Sequence, residues 1–144
     1  MTADDGADVV VLAPDLPELR MAVEVKVGKI DPRRAVAQLR KYMRGRNCPV
    51  GLLVTPEQSW LLYETYESDS DASIREIGVY STAPLLGLVR TPEDEQTLIA
   101  AVEQWLERLA AGSTDAVDEA VREPLSHYIL PAVAEGRVAS GSLG

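Results

Sequence analysis

Glu24 and Lys26 stand two residues apart in an apolar stretch that runs Met21-Ala-Val-Glu-Val-Lys-Val27. On a β-strand, residues at i and i+2 face the same side. A carboxylate and an ammonium therefore emerge together from a surface whose neighbours favour burial. Burying either charge alone is costly, so both need partners. A divalent cation would partner the carboxylate and a phosphate would partner the lysine. Metal-assisted phosphoryl chemistry is thus the reaction class to which this spacing points.

The charge distribution agrees. The 144-residue chain carries a net charge of −9. Between Arg20 and Arg46, however, nine basic residues face only Glu24 and Asp31, a local charge of +7 that leaves −16 for the rest. A basic patch on an acidic protein is an electrostatic footprint for phosphate. The overall acidity argues against a nonspecific coat on nucleic acid or on an anionic membrane, but leaves room for one basic cleft. No apolar run reaches the roughly 18 residues of a membrane span, and the acidic start is the wrong sign for a signal peptide. A single cysteine, Cys48, permits no internal disulfide and predicts a cytoplasmic protein.

The elements that must position Glu24 and Lys26 follow from pattern. Residues 1–7 are polar and predicted to fray. The β-branched run 8–13 predicts a strand, the two prolines of 14–18 a turn, and 20–27 a second strand, so 8–27 reads as a hairpin. Asp31 is a good N-cap and Pro32 suits a first helical position, which opens a helix over 32–45 with Ala35, Leu39 and Tyr42 or Met43 inward. Residues 49–55 form an unalternating apolar strand, buried and parallel to 20–27 through a βαβ crossover. Strands over 60–67 and 74–81 follow, antiparallel to each other and separated by a polar loop over 68–73.

The C-terminal half reads as helices packed on the sheet. The first runs from the capping residues 91–94 to about 111, with Leu98, Val102, Trp105, Leu106 and Leu109 as its apolar stripe. The second spans 114–135, broken near Pro124 and Pro131. The chain is expected to be one domain over 1–144, with a core over 7–90, helices over 92–135 and a flexible tail over 136–144.

A hairpin carrying an aspartate and Glu-x-Lys, then a helix, then a parallel strand resembles the PD-(D/E)xK nuclease superfamily. Gln38-Leu-Arg-Lys-Tyr42 resembles the Q-x-x-x-Y element of its RecB-type and type I restriction members. The resemblance covers roughly residues 7–67. The pair Pro14-Asp15 is the literal match to the motif's first half, but Asp15 sits in the turn, roughly 20 Å along the strand from Glu24. With the turn centred near Leu16, Asp8 stands opposite Glu24, and Asp8 is the site aspartate expected here.

The resemblance implies a restriction-endonuclease-like α/β fold: a mixed sheet with C-terminal helices packed on it. It implies that Asp8, Glu24 and the Val25 backbone carbonyl hold Mg²⁺, with Mn²⁺ as a substitute, and that the cation polarises the scissile phosphate and acidifies a water. Lys26 would position that water and offset phosphoryl charge. Gln38 and Tyr42 would arrange the site or touch DNA. Lys29, Arg33, Arg34, Lys41 and Arg44 would grip backbone phosphates.

The chain departs from the pattern in one respect. The family core begins with a helix and a strand ahead of the aspartate strand, that helix often carrying a further acid, and only seven residues precede Asp8. Three explanations stand open: a partner chain supplies them, the member is cut down, or strands 60–67 and 74–81 complete the sheet. The open hairpin edge predicts a homodimer.

The remaining reactive residues read as structural. His127 lacks neighbours at metal-ligand spacing, Cys48 reads as a small buried hydrophobe, and Trp60 and Trp105 suit core positions. No glycine-rich phosphate loop or nucleophile elbow is present. The leading expectation is a DNA-cleaving metal-dependent nuclease of a restriction or repair system. A catalytically inactive module for nucleic-acid binding or assembly is the alternative. A regulatory or oligomerisation domain, in which Glu24–Lys26 is merely an ion pair, is the third reading.

Overall fold

The computed structural model describes residues 7–113 and 117–141. Six strands form one mixed sheet: β1 (Val9–Leu12), β2 (Leu19–Val25), β3 (Val50–Val54), β4 (Gln58–Glu64), β5 (Ile74–Ser81) and β6 (Arg137–Ser140). Their order is β5-β4-β3-β2-β1-β6. The β2–β3 pair is parallel, and every other neighbouring pair is antiparallel. Helix α1 (Pro32–Arg46) makes the parallel crossover and covers one face of the sheet. On the other face lie α2 (Thr82–Leu86), α3 (Glu95–Ala110), α4 (Glu119–Pro124) and α5 (Leu130–Val133).

Alternation sorts the side chains between two cores. Val9, Val11, Met21, Val23 and Val25 pack towards α3 and α5. Val10, Ala22 and Leu53 pack beneath α1, against Ala35, Leu39 and Met43. Strand β3 is buried at every residue because both its faces are covered, which is why its sequence does not alternate. Gly51 keeps α1 close to the sheet: a Cβ there would lie 2.5 Å from Met43 Sδ and 3.3 Å from Leu39 Cδ2.

Local chemistry sets the ends of α1. The Asp31 side chain accepts from the Arg33 N–H at 3.1 Å and Pro32 occupies the first turn. Asn47 closes the helix in the left-handed region at φ 53°, its N–H donating back to the last-turn carbonyls. Helix α3 starts at Glu95, later than its sequence suggests, because Asp94 is the residue that caps it, accepting from the Thr97 N–H at 3.0 Å. The break expected near Pro124 and Pro131 is a π-turn over Leu125–Ile129, where the Leu130 N–H reaches the Leu125 carbonyl. Part of that expected helix, residues 114–116, lies outside the described residues, as do residues 1–6 and 142–144 of the two expected flexible ends.

Two expectations need correction. The C-terminal stretch is not wholly a flexible tail: Arg137–Ser140 is β6, antiparallel to β1 with Val9 opposite Ser140. Small polar residues hid it, because an edge strand needs backbone partners more than apolar side chains. Its pairing also closes the β1 edge, so the open edge that argued for a homodimer is occupied from within the chain. Strands β4 and β5 extend the sheet at the opposite edge. Helix α2, short and carrying Pro84, is a second element the sequence pattern did not reveal. Among the described residues no helix is long and apolar enough to cross a membrane.

Candidate phosphoryl-transfer site

The β1–β2 register pairs Val9 with Val23 and Val10 with Ala22, which by continuation sets Asp8 against Glu24. This is the register that a turn centred near Leu16 requires. Asp15 lies exposed in the bend that follows β1. The Asp8 backbone is anchored on both sides: its N–H donates to Val23 at 2.9 Å and its carbonyl accepts from Gly141 at 3.1 Å. Its carboxylate Oδ2 accepts from the Val25 N–H at 2.7 Å. The aspartate thus sits one hydrogen bond from the residue between Glu24 and Lys26.

Glu24 is 5% exposed, in the sheet interior beneath α1. Lys26 Nζ approaches its Oε1 at 3.2 Å. The Lys26 N–H donates to the Val54 carbonyl at 2.9 Å, so the parallel pairing runs one residue past the end of β2 and fixes where the lysine starts. Its side chain is a quarter exposed and leads from the buried carboxylate towards solvent.

Tyr42 joins this group from α1. Burial raises its phenol above the usual range, and the Glu24 carboxylate adds to the rise. The Arg46 charge and a hydrogen bond from the Ala7 backbone pull the other way. The tyrosine therefore reaches from the helix to the residue that precedes β1. Gln38 lies one turn before it on the same side of α1 and is exposed. Arg46, one turn after it, places its guanidinium 5.2 Å from the Tyr42 ring centroid. Arg46 counted towards the basic stretch, but the i+4 spacing from Tyr42 was the signal for this contact.

The other basic residues divide into two groups. Lys29, Arg33, Arg34 and Lys41 are exposed. Arg40 and Arg44 are engaged within the fold. Arg40 Nε donates to the Ile74 carbonyl at 2.9 Å. Arg44 donates to the Asp69 carbonyl and lies 3.7 Å from Glu64 and 3.8 Å from Asp71. These contacts clasp α1 to the acidic loop before β5, so part of the +7 stretch is balanced by the fold itself. Phosphate contact by Arg44 would have to compete with those carboxylates.

Glu64 completes the clasp. Burial alone would raise its carboxyl, but hydrogen bonds from Ser73 and the Tyr66 N–H, with the Arg44 charge, outweigh that and hold it below the usual range. A carboxyl lowered in the folded state stabilises the fold above its unfolded pKa, and this stability is lost as pH falls through the folded value. Urea unfolding from neutral pH down through the acid range should therefore show a loss of stability that is smaller in Glu64→Gln. An unchanged acid slope in that variant would remove Glu64 from the account.

Among the described residues there is no group of three or more His, Cys, Asp and Glu placed to hold a metal ion. Asp8 and Glu24 stand opposite one another across the β1–β2 pair, and two carboxylates of this kind could serve only an ion that keeps several of its waters, such as Mg²⁺. His127 is exposed, its Nδ1 3.0 Å from the Glu123 carbonyl. Cys48 is buried, and burial pushes its thiol up to about 12, far from reactive. Trp105 is buried in the main core and Trp60 is half-buried beside the α1 core.

Compared with protein-family models, curated proteins and solved structures, the chain matches none. The reading of the site therefore rests on its own residues. Asp8 meets the Glu24–Lys26 segment, Tyr42 and Gln38 lie on the helix that covers this face of the sheet, and the exposed cations Lys29, Arg33, Arg34 and Lys41 lie on the same crossover connection.

Proposed function

We propose that this protein is a metal-dependent nuclease of the PD-(D/E)xK type that hydrolyses phosphodiester bonds in DNA. The observation that carries the reading is the convergence of Asp8 on the Glu24–Lys26 segment across the β1–β2 pair. The sheet supports it in a second way. The place beside the aspartate strand, where the resemblance expects a preceding helix and strand, is taken by α5 and β6. On this reading those elements would come from later in the same chain.

The residues divide the work by chemistry. Asp8 and Glu24, with the Val25 carbonyl, would hold Mg²⁺ or Mn²⁺, which when bound supplies Lewis acidity towards a phosphate oxygen and a more acidic water. The Val25 N–H keeps the Asp8 carboxylate oriented. Lys26 offsets the Glu24 charge at rest and faces developing phosphoryl charge during the reaction. Tyr42 meets the Ala7 backbone, just ahead of β1, from the helix and would face the substrate strand there. Lys29, Arg33, Arg34 and Lys41 attract the DNA backbone with salt-dependent affinity.

Purified protein should nick plasmid or degrade single-stranded DNA with Mg²⁺ or Mn²⁺ and stop on addition of EDTA. Asp8→Asn and Glu24→Gln should each abolish cleavage. One observation favours a second reading: Glu24 is buried with its ammonium partner only 3.2 Å away, as in a purely structural ion pair. Salt-sensitive DNA binding without cleavage would make the chain an inactive binding module. No binding at all would leave the structural pair alone.

A further inference from the structure

Helix α1 covers only part of its face of the sheet. Beyond it, over β1 and β6, lies an open groove of about 680 Å³. Its floor is apolar, made by Val10, Leu12 and Ala139. Tyr42, Arg46 and Arg137 line its wall, and among the described residues Glu18 is the one carboxylate at its edge. The volume lies within the usual range for a pocket that takes a small organic group.

Two features narrow the occupant. The groove has two guanidinium groups against one carboxylate, so it favours an anion with an apolar or flat body. Arg137 donates to the Ala13 and Leu16 carbonyls, which fixes its position without cancelling its charge. The groove also adjoins the candidate site: Val10, in its floor, lies two residues along the chain from Asp8 on the same face of the sheet, and the Tyr42 ring lies beside Arg46 at its wall. A chain passing from the site along α1 would enter the groove.

We propose that the groove holds an unpaired nucleotide of the substrate strand, its base on the aliphatic floor and its phosphate between Arg46 and Arg137. This rests on the nuclease reading and adds a preference for single-stranded or frayed DNA. Few aromatic residues are available for a stacking platform, so the contact uses aliphatic side chains and a guanidinium plane instead. Rigid duplex would pass over the groove and meet only the cations of α1.

Fluorescence anisotropy with a labelled single-stranded oligonucleotide and a blunt duplex of the same length, in Ca²⁺ to prevent turnover, tests this on the whole protein. Arg137→Ala and Ala139→Glu should each weaken single-strand binding about tenfold and leave duplex binding unchanged. Thermal melting of both variants checks that the fold persists, and Ala139→Glu alters the floor without touching the site residues. Equal losses on both ligands, or no loss on either, overturns the groove. Mg²⁺-dependent cleavage by the wild type, assayed separately, decides the nuclease reading. Cleavage that persists alongside unchanged single-strand binding in the variants removes the groove and leaves the nuclease.

Discussion

Lys26→Met is expected to lower Mg²⁺-dependent DNA cleavage by about a hundred- to a thousandfold, the usual effect of deleting one group that stabilises transition-state charge. Binding to duplex should change little, because on the proposed reading most affinity would come from the exposed cations of α1 and the loop before it. The same change strips the ammonium from a carboxylate that is only 5% exposed. Removing one partner of a buried pair costs about 3–5 kcal/mol, and partial exposure of Lys26 brings the expected loss to about 1–3 kcal/mol. The double variant Glu24→Gln/Lys26→Met should recover much of that stability and none of the cleavage. Urea midpoints and a plasmid-nicking assay on the four proteins separate the two effects. Stability recovered in the double variant, with no cleavage in the wild type to lose, would reduce the pair to a structural role.

Leu39→Ala should be the most destabilising of the substitutions considered. Leu39 is fully buried on the inner stripe of α1, against the sheet residues beneath it. Truncation of such a leucine costs about 2–5 kcal/mol, combining lost transfer energy with a residual cavity. For a domain of this size that corresponds to a fall of about 6–15 °C in Tm. The expected signature in urea is a lower midpoint at an unchanged slope. Leu39 also lies between Gln38 and Tyr42 on the helix, so a shift of α1 into the cavity would move the tyrosine relative to Glu24. Cleavage should then fall below the wild-type value even at temperatures where the variant is folded. A variant with wild-type stability would mean that α1 is not held by this contact.

The strongest sequence signals were those set by short-range chemistry. The helix over 32–46 has its cap and its proline written in the adjacent residues Asp31 and Pro32. The parallel β2–β3 pair follows from handedness once a helix lies between two apolar strands. The opposition of Asp8 and Glu24 follows from counting outward from a two-proline turn. β6 was hidden because Arg137-Val-Ala-Ser140 has little apolar pattern, and its partner β1 lies more than 120 residues away. The basic stretch was legible as charge, but not as charge that Glu64, Asp69 and Asp71 would partly engage.

By itself the sequence determined the secondary elements around Glu24, the facing of Glu24 and Lys26, and the acid that opposes them. Each of these depends on the local backbone period or on a single tight turn, so neighbouring residues suffice. Only the tertiary structure decided which strand closes the β1 edge, which cations of α1 remain exposed, and that Tyr42 and Arg46 border an open groove. Those depend on contacts between residues distant along the chain, where pairing is chosen by the packing of the whole sheet against its helices.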